Sequence, residues 1–274
     1  DDAQEKEIRR TIYLYIGDDT KLNIEYVEKF EALTNGKRRY FMNNIFAFGD
    51  SIMKGIVASP SQLNEDTVKY VISNQGFVSR VGESSGAVIR NLSRFGSTIF
   101  GGLTNIDRHL REIKPGDRVV LEFGGNDCNF DWKAIASNPM GVHKPEVSLS
   151  QFHDLYVKVI EKVRSVGATP VMLSLPALLP QRFFDFVSKG LDKDNILRWL
   201  GGDVNYISNW HEQYNLEVFK LGAELQVQVI DISTVFLELR SLGDYYCSDG
   251  MHPNEAGHAL IAEVVLASGL VAAS

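Results

Sequence analysis

Apolar residues recur along most of the chain in two alternating patterns, one typical of strands and the other of helices. Five short runs rich in apolar and β-branched residues predict strands, and longer stretches with helical spacing separate most of them. This alternation predicts an α/β fold with a parallel sheet covered on both faces. The predicted strands are Ile45–Phe48, Ala87–Leu92, Arg118–Phe123, Pro170–Leu175 and Val227–Ile232. The predicted helices are Ile99–Ile113, Leu149–Val166, Asp203–Leu221 and Asn254–Leu266.

The first part of the chain does not follow this pattern. Thr11 to Ile16 has strand character, a short stretch with helical spacing follows it, and Asn35-Gly36 then marks a turn. Met42 directly precedes the first strand of the repeating pattern. We therefore predict an amino-terminal appendage of unknown role at residues 1–41 and one α/β domain at residues 42–274.

Composition narrows the classes of partner. The net charge of −7 argues against nucleic acid or an anionic membrane as the main partner. No apolar segment reaches the roughly 20 residues that cross a bilayer, and the amino end is polar, so we expect a cytoplasmic chain without a membrane span, although a removed leader would leave no trace. The two cysteines, Cys128 and Cys247, are too few for a disulfide scaffold, and we predict reduced, packed thiols.

Two polar stretches could together provide nucleophilic chemistry. Gly49-Asp50-Ser51 follows the first strand and places a hydroxyl at the carboxyl edge of the sheet, where ligands bind in open α/β folds. Ser51 needs a base, and His252 lies three residues after Asp249 on a predicted loop. That spacing lets the carboxylate hold Nδ1 and leaves Nε2 free to face Ser51. Alone, each stretch is more typical of an ordinary turn.

Acyl transfer also requires hydrogen-bond donors aimed at a developing oxyanion. Three candidates follow predicted strands: the backbone amides of Ser51 and Gly96 and the side-chain amide of Asn126. We interpret Asp50 and Asp127 as structural carboxylates that accept backbone hydrogen bonds in turns.

Together these stretches resemble a known family. In chain order, the four blocks are Gly49–Ser51, Asn91–Thr98, Phe123–Asp127 and Asp249–Asn254. They resemble the four motif blocks of the SGNH hydrolases, also called GDSL esterases. The first block here continues with Ile52 where the family's namesake motif has leucine, which is a conservative change.

The resemblance implies a fold, a mechanism and a set of residues. The fold is a three-layer, flavodoxin-like domain with five parallel strands in the order 2-1-3-4-5. The mechanism is ester hydrolysis without metal or cofactor, in which Ser51 attacks, His252 transfers protons and Asp249 orients the histidine. Ser51, Gly96 and Asn126 form the oxyanion hole.

Rival functions find less support in the sequence. A nucleotide- or flavin-binding module of the same fold would need a glycine-rich phosphate loop, and neither Gly-x-x-x-x-Gly-Lys nor Gly-x-Gly-x-x-Gly follows any predicted strand. A metal hydrolase would need more ligands than Asp249 and His252.

Two long connections, Asn129 to Ser148 and Pro176 to Gly202, exceed the usual α/β loop and are candidate walls of the site. We predict that Asp131 and Trp132 bind substrate. The absence of a long aliphatic lid favours a small-molecule or oligosaccharide ester with a short acyl group, and we expect O-acetyl groups on carbohydrate. Carbohydrate acetylesterases share this resemblance, but so do lysophospholipases and thioesterases, which stay open as alternatives.

Overall fold

A five-stranded parallel sheet forms the centre of the computed structural model, which describes residues 44–59 and 68–271. The strands of this sheet are β1 (Ile45–Gly49), β4 (Ile89–Asn91), β5 (Arg118–Glu122), β6 (Thr169–Leu173) and β7 (Gln228–Ile230). They lie in the order β4-β1-β5-β6-β7. Counted along the chain within this sheet, that order is 2-1-3-4-5, so the predicted fold class is confirmed. The predicted appendage, residues 1–41, lies outside the described ranges and its boundary stays a prediction.

Helices connect the strands and cover the sheet. They are α1 (Ser51–Lys54), α2 (Phe77–Ser85), α3 (Ile99–His109), α4 (Trp132–Ser137), α5 (Leu149–Ser165), α6 (Pro180–Val187), α7 (Lys193–Trp199), α8 (Tyr206–Leu225), α9 (Thr234–Leu237) and α10 (Glu255–Ala267), with a 3₁₀ helix at Leu242–Tyr245. Within residues 44–59 and 68–271, none of these helices is long and apolar enough to cross a lipid bilayer.

The two faces of the sheet bury separate cores. Successive side chains of a strand point to opposite faces, and β1 follows this rule. Phe46 and Phe48 pack into a core that includes residues of α3, α5 and α8. Ile45 and Ala47 pack into a second core that includes residues of α2 and α10. The result is a helix–sheet–helix sandwich whose carboxyl edge carries the motif residues.

Two features were not predicted from the pattern of apolar positions. The first is an antiparallel strand pair, β2 (Ile56–Ala58) and β3 (Tyr70–Ile72). The second is a cap over the carboxyl edge of the sheet, made by α4, α6, α7 and the start of α8. A third hydrophobic cluster holds the cap together, and its largest buried members include Phe130, Trp132, Phe183 and Phe184.

Candidate active site

Three side chains from two distant parts of the chain form one hydrogen-bonded line. Ser51 Oγ lies 2.9 Å from His252 Nε2, and His252 Nδ1 lies 2.9 Å from Asp249 Oδ2. Because Nδ1 donates to the carboxylate, Nε2 can accept the proton of Ser51. All three residues are buried, with Ser51 the most accessible at 6% exposure. This arrangement can generate a serine nucleophile with an oriented base.

The turn after β1 gives Ser51 its position. Asp50 caps the short helix α1 by accepting a hydrogen bond from Ile52 N at 2.8 Å, which leaves Ser51 as the first helical residue. The chain approaches its neighbours closely here. A Cβ atom on Gly49 would lie 2.7 Å from Cβ of Met53 and 2.8 Å from the carbonyl oxygen of Glu122, so only glycine fits.

The loop before α10 positions the other two members of the line. Asp249 Oδ1 accepts hydrogen bonds from Met251 N at 2.8 Å and from His252 N at 2.9 Å, which folds the loop around the carboxylate. Cys247 N donates to His252 O at 2.9 Å and closes the same loop. Burial alone would raise the pKa of Asp249, but hydrogen bonds from His252 and Tyr70 hold that pKa below its ordinary value.

The predicted oxyanion donors lie at the same edge of the sheet. Asn126 Nδ2 donates to Asp50 Oδ2 at 2.9 Å and makes a longer contact of 3.4 Å with Ser97 O. The second contact brings the loop that contains Gly96 beside Asn126. Gly96 has φ +67°, which favours glycine, and within the described part of the chain neither Gly96 N nor Ser51 N donates a hydrogen bond. Both amides can therefore donate to a substrate oxygen.

Comparison with known proteins decides the family. Residues 47–260, more than half of the chain, match the GDSL-like lipase/acylhydrolase family. The chain belongs to this family. The family predicted from the four blocks is confirmed, and its description as a family of lipases and acylhydrolases agrees with the predicted class of enzyme, a carboxylic ester hydrolase of the GDSL type. The roles of individual residues stay predictions.

Relatives of the GDSL family extend the comparison. The "Uncharacterized esterase YxiM" of Bacillus subtilis (strain 168) is 29% identical over 188 residues, which cover 65% of this chain and 41% of that protein. The chain thus spans about two fifths of the length of this relative.

Two solved structures share the fold. A lipolytic protein of the G-D-S-L family from Veillonella parvula DSM 2008 is 21% identical, with a TM-score of 0.56 over 82% of this chain and 96% of that chain. A lipase/acylhydrolase from Enterococcus faecalis is 16% identical, with a TM-score of 0.57 over 83% of this chain and 95% of that one.

Beside Ser51, a cleft runs beneath the cap of this GDSL domain. Ser51 and Asn126 lie in its wall. The other side is largely aromatic and consists of Phe130, Trp132, Phe183, Trp199, Tyr206 and Trp210. Trp132, which we predicted to bind substrate, lies in this wall, whereas Asp131 is exposed and caps α4 by accepting a hydrogen bond from Ala134 N at 3.0 Å.

Most polar groups in the cleft wall already have partners. Trp132 Nε1 donates to Asn129 Oδ1 at 2.8 Å, and Trp210 Nε1 donates to Cys128 O at 2.9 Å. His211 is buried, and burial lowers its pKa to about 4, so its side chain is neutral at pH 7. The cleft therefore offers mainly apolar contacts to a substrate.

Two functional candidates were missed by the sequence analysis. Tyr70, at the start of β3, donates a hydrogen bond to Asp249 Oδ2 at 2.7 Å. Glu122, the last residue of β5, lies wholly buried next to Asp50. A carboxyl group inside an apolar strand was a signal for Glu122, whereas nothing in the pattern marked Tyr70.

Among residues 44–59 and 68–271, the remaining candidate ligands do not form a metal site. In the described ranges, no group of three or more His, Cys, Asp or Glu side chains is arranged to hold a metal ion. Cys128 and Cys247 are free and buried, as predicted, and they have separate partners. Cys128 Sγ contacts Gly125 O at 3.3 Å, and Cys247 Sγ accepts from Ala58 N at 3.3 Å.

Proposed function

We propose that this chain hydrolyses carboxylic esters through a serine acyl-enzyme. The observation that carries the proposal is the line of hydrogen bonds from Asp249 through His252 to Ser51. Ser51 Oγ attacks the ester carbonyl while His252 Nε2 takes the hydroxyl proton. His252 then gives this proton to the leaving alcohol. It later accepts a proton from the water that attacks the acyl-enzyme, and it returns that proton to Ser51 Oγ as the carboxylic acid leaves. The negative charge of Asp249 stabilises the imidazolium in both steps.

The tetrahedral intermediates place a negative charge on the former carbonyl oxygen. The unpaired amides of Ser51 and Gly96 support a role as two of its donors. Asn126 can supply the third. Its hydrogen bond to Asp50 is short and fixes the amide, whereas its 3.4 Å contact with Ser97 O is weak and is easily exchanged for an oxyanion.

The cleft favours an apolar acyl group as its occupant. Its wall is mainly aromatic and aliphatic, and the indole donors of Trp132 and Trp210 are already engaged. Burying an apolar chain there is favourable, whereas burying sugar hydroxyl groups would leave them without partners. This supports an acyl chain longer than acetyl, with the alcohol towards solvent, as a lysophospholipase or thioesterase would require.

The substrate predicted from the sequence, an O-acetyl group on carbohydrate, is the second candidate. One observation favours it. Tyr206 lies at the cleft with 44% of its surface exposed, and Trp199 beside it is only partly buried. Exposed aromatic rings can pack against the apolar face of a sugar, so the alcohol part of a short-chain ester could bind there.

Nitrophenyl esters from acetyl to lauroyl, assayed beside acetylated xylo-oligosaccharides, test both parts of the proposal. Ser51→Ala and His252→Ala should each lose nearly all activity in folded protein, and the double variant should be hardly worse, because members of a triad act as a unit. Normal turnover by Ser51→Ala would disprove the serine mechanism.

The acyl panel then separates the two substrate classes. We expect the rate to rise from acetyl to octanoyl, and Leu178→Trp, which fills part of the cleft, should reduce octanoyl turnover while sparing acetyl. A maximum at acetyl or butyryl, with acetate released from the oligosaccharides, would favour the second candidate instead.

A further inference from the structure

The antiparallel pair β2–β3 lies against the loop that holds Asp249 and His252. Tyr70, the first residue of β3, donates a hydrogen bond from Oη to Asp249 Oδ2 at 2.7 Å. Its ring also packs on the imidazole of His252, with 4.9 Å between ring centroids and an interplanar angle of 51°. One side chain from outside the four motif blocks therefore contacts both the acid and the base of the triad.

Tyr70 completes the set of donors around the buried carboxylate. Oδ1 of Asp249 accepts from two backbone amides, those of Met251 and His252. Oδ2 accepts from His252 Nδ1 and from Tyr70 Oη. The carboxylate is thus held at both oxygens, and Tyr70 supplies the one side-chain donor besides the histidine among these four bonds.

The donor is fixed in its protonated form and in its place. Burial, and after it the negative charge of Asp249, raises the pKa of the Tyr70 hydroxyl, so the proton stays on Oη at every pH that esterase assays use. At one end of the strand pair, Ala58 N donates to Cys247 Sγ at 3.3 Å. At the other end of the pair, Ser73 Oγ, directly after β3, donates to Glu255 Oε1 at 2.8 Å. The pair is therefore attached to both ends of the loop and helix that present His252.

We propose that Tyr70 is a positioning residue for ester hydrolysis, which fixes Asp249 against His252 and shares the charge of Oδ2 with the imidazole. This inference rests on the serine mechanism proposed above. Tyr70 acts through Asp249 and His252. It is not one of the residues that line the substrate cleft.

Tyr70→Phe tests this role because it keeps the ring on His252 and removes only the hydroxyl. We expect kcat to fall about tenfold, which corresponds to one hydrogen bond to a charged group, with KM unchanged. Without the Tyr70 donor, the charge of Oδ2 acts more fully on Nδ1 and holds the imidazole proton more tightly. The acidic limb of the pH–rate profile should therefore move to higher pH.

Other charges near His252 stay constant in this comparison. Apart from Tyr70, the titratable groups that interact with His252 are Asp249, Asp50 and His258, and Tyr70→Phe changes none of them. Burial lowers the pKa of His258 to about 4, so that side chain is neutral at assay pH. Tyr245→Phe, which removes a hydroxyl from the nearby 3₁₀ helix, is the matched control and should leave kcat and the profile unchanged.

Three outcomes decide the proposal. A lower kcat together with a shifted acidic limb supports it. An unchanged kcat with an unchanged acidic limb would overturn it. A lower kcat with an unmoved acidic limb and a lower melting temperature would also overturn it, because Tyr70 would then serve only stability. NMR titration of the His252 imidazole in wild type and Tyr70→Phe gives a readout that needs no turnover. If the wild type proves inactive on every ester, an upward shift of that midpoint still supports the contact, whereas equal midpoints reject it.

Discussion

Two carboxyl groups are buried to the same extent at the carboxyl edge of the sheet, yet their pKa values are shifted in opposite directions. Asp249 and Glu122 both have 0% of their surface exposed. Asp249 accepts four hydrogen bonds and has a lowered pKa. Glu122 Oε2 accepts one long bond of 3.4 Å from Asp50 N, and Oε1 has no hydrogen-bond partner within the described residues. Burial, and then the charge of Asp50, raises the pKa of Glu122 well above its ordinary value.

The difference shows that donors, and not depth, decide the direction in which the pKa of a buried acid is shifted here. The two groups also serve different parts of the site. The charged Asp249 faces the imidazole. Glu122 Oε2 accepts from the backbone amide of Asp50, and the Asp50 side chain holds Asn126. An acid with a raised pKa thus supports the oxyanion side of Ser51, and an acid with a lowered pKa supports the base side.

The largest effect should come from neutralising the charged member. Asp249→Asn keeps the shape but removes the acceptor that fixes the Nδ1 proton, so we expect kcat to fall about 10,000-fold. Steady-state kinetics on a nitrophenyl ester measures this loss of kcat.

Asp192→Asn is the matched control for this substitution, because it makes the same chemical change at an exposed helix cap where asparagine also serves well. It should retain full activity. An Asp249→Asn enzyme within tenfold of wild type would mean that the charge of this carboxylate is unimportant.

A smaller loss is expected on the oxyanion side. Asn126→Ala should lower kcat about 100- to 1000-fold with little change in KM, because its hydrogen bond strengthens mainly in the transition state. Asn129→Ala, in the same cleft wall, should spare kcat by comparison. If the two variants behave alike, Asn126 is a cleft residue and not an oxyanion donor.

The smallest effect on activity should come from Glu122→Gln. The side-chain oxygen of glutamine can accept from Asp50 N as Glu122 Oε2 does, so kcat should change only a few-fold at most. Stability should respond to pH instead. Folded Glu122 keeps its proton above pH 4.5, where the unfolded chain loses it, so this group lowers the stability of the wild type as pH rises.

The glutamine variant lacks that dependence. Its free energy of unfolding relative to wild type should therefore increase with pH, by at most about 1.4 kcal/mol per unit. Urea unfolding at several pH values between about 5 and 8 measures this difference. A constant difference would show that Glu122 is ionised in the folded chain.

The sheet could be predicted from the sequence because its strands are apolar on both faces. Ile45 to Phe48 is a continuous apolar run, and alternate residues of it pack into different cores. The pair β2–β3 was missed because each strand has only three residues, too few for an alternation of apolar and polar positions to be recognised. In addition, Val71 and Ile72 are both exposed, so the apolar residues of β3 do not mark a buried face. The cap helices α4, α6 and α7 have eight residues or fewer, too short for helical spacing to stand out.

Only the site residues that lie in the four motif blocks could be predicted from the sequence. Ser51, Asp249 and His252 were found because the chemistry of a triad requires those residue types at the ends of elements. Tyr70 could not be found, because its position depends on how β3 packs against a loop 179 residues later in the chain. The aromatic side chains of the long connections serve two purposes, since Trp132 belongs both to the core of the cap and to the wall of the cleft.

The placement of the two cysteines has a practical consequence for spectroscopy. Cys128 and Cys247 are each 7% exposed, and burial raises the pKa of both thiols, that of Cys247 to about 11. Maleimide reagents attack the thiolate, so the native chain should remain unlabelled near neutral pH. A single cysteine introduced at an exposed position such as Val142 could then carry a fluorophore without removal of either native cysteine.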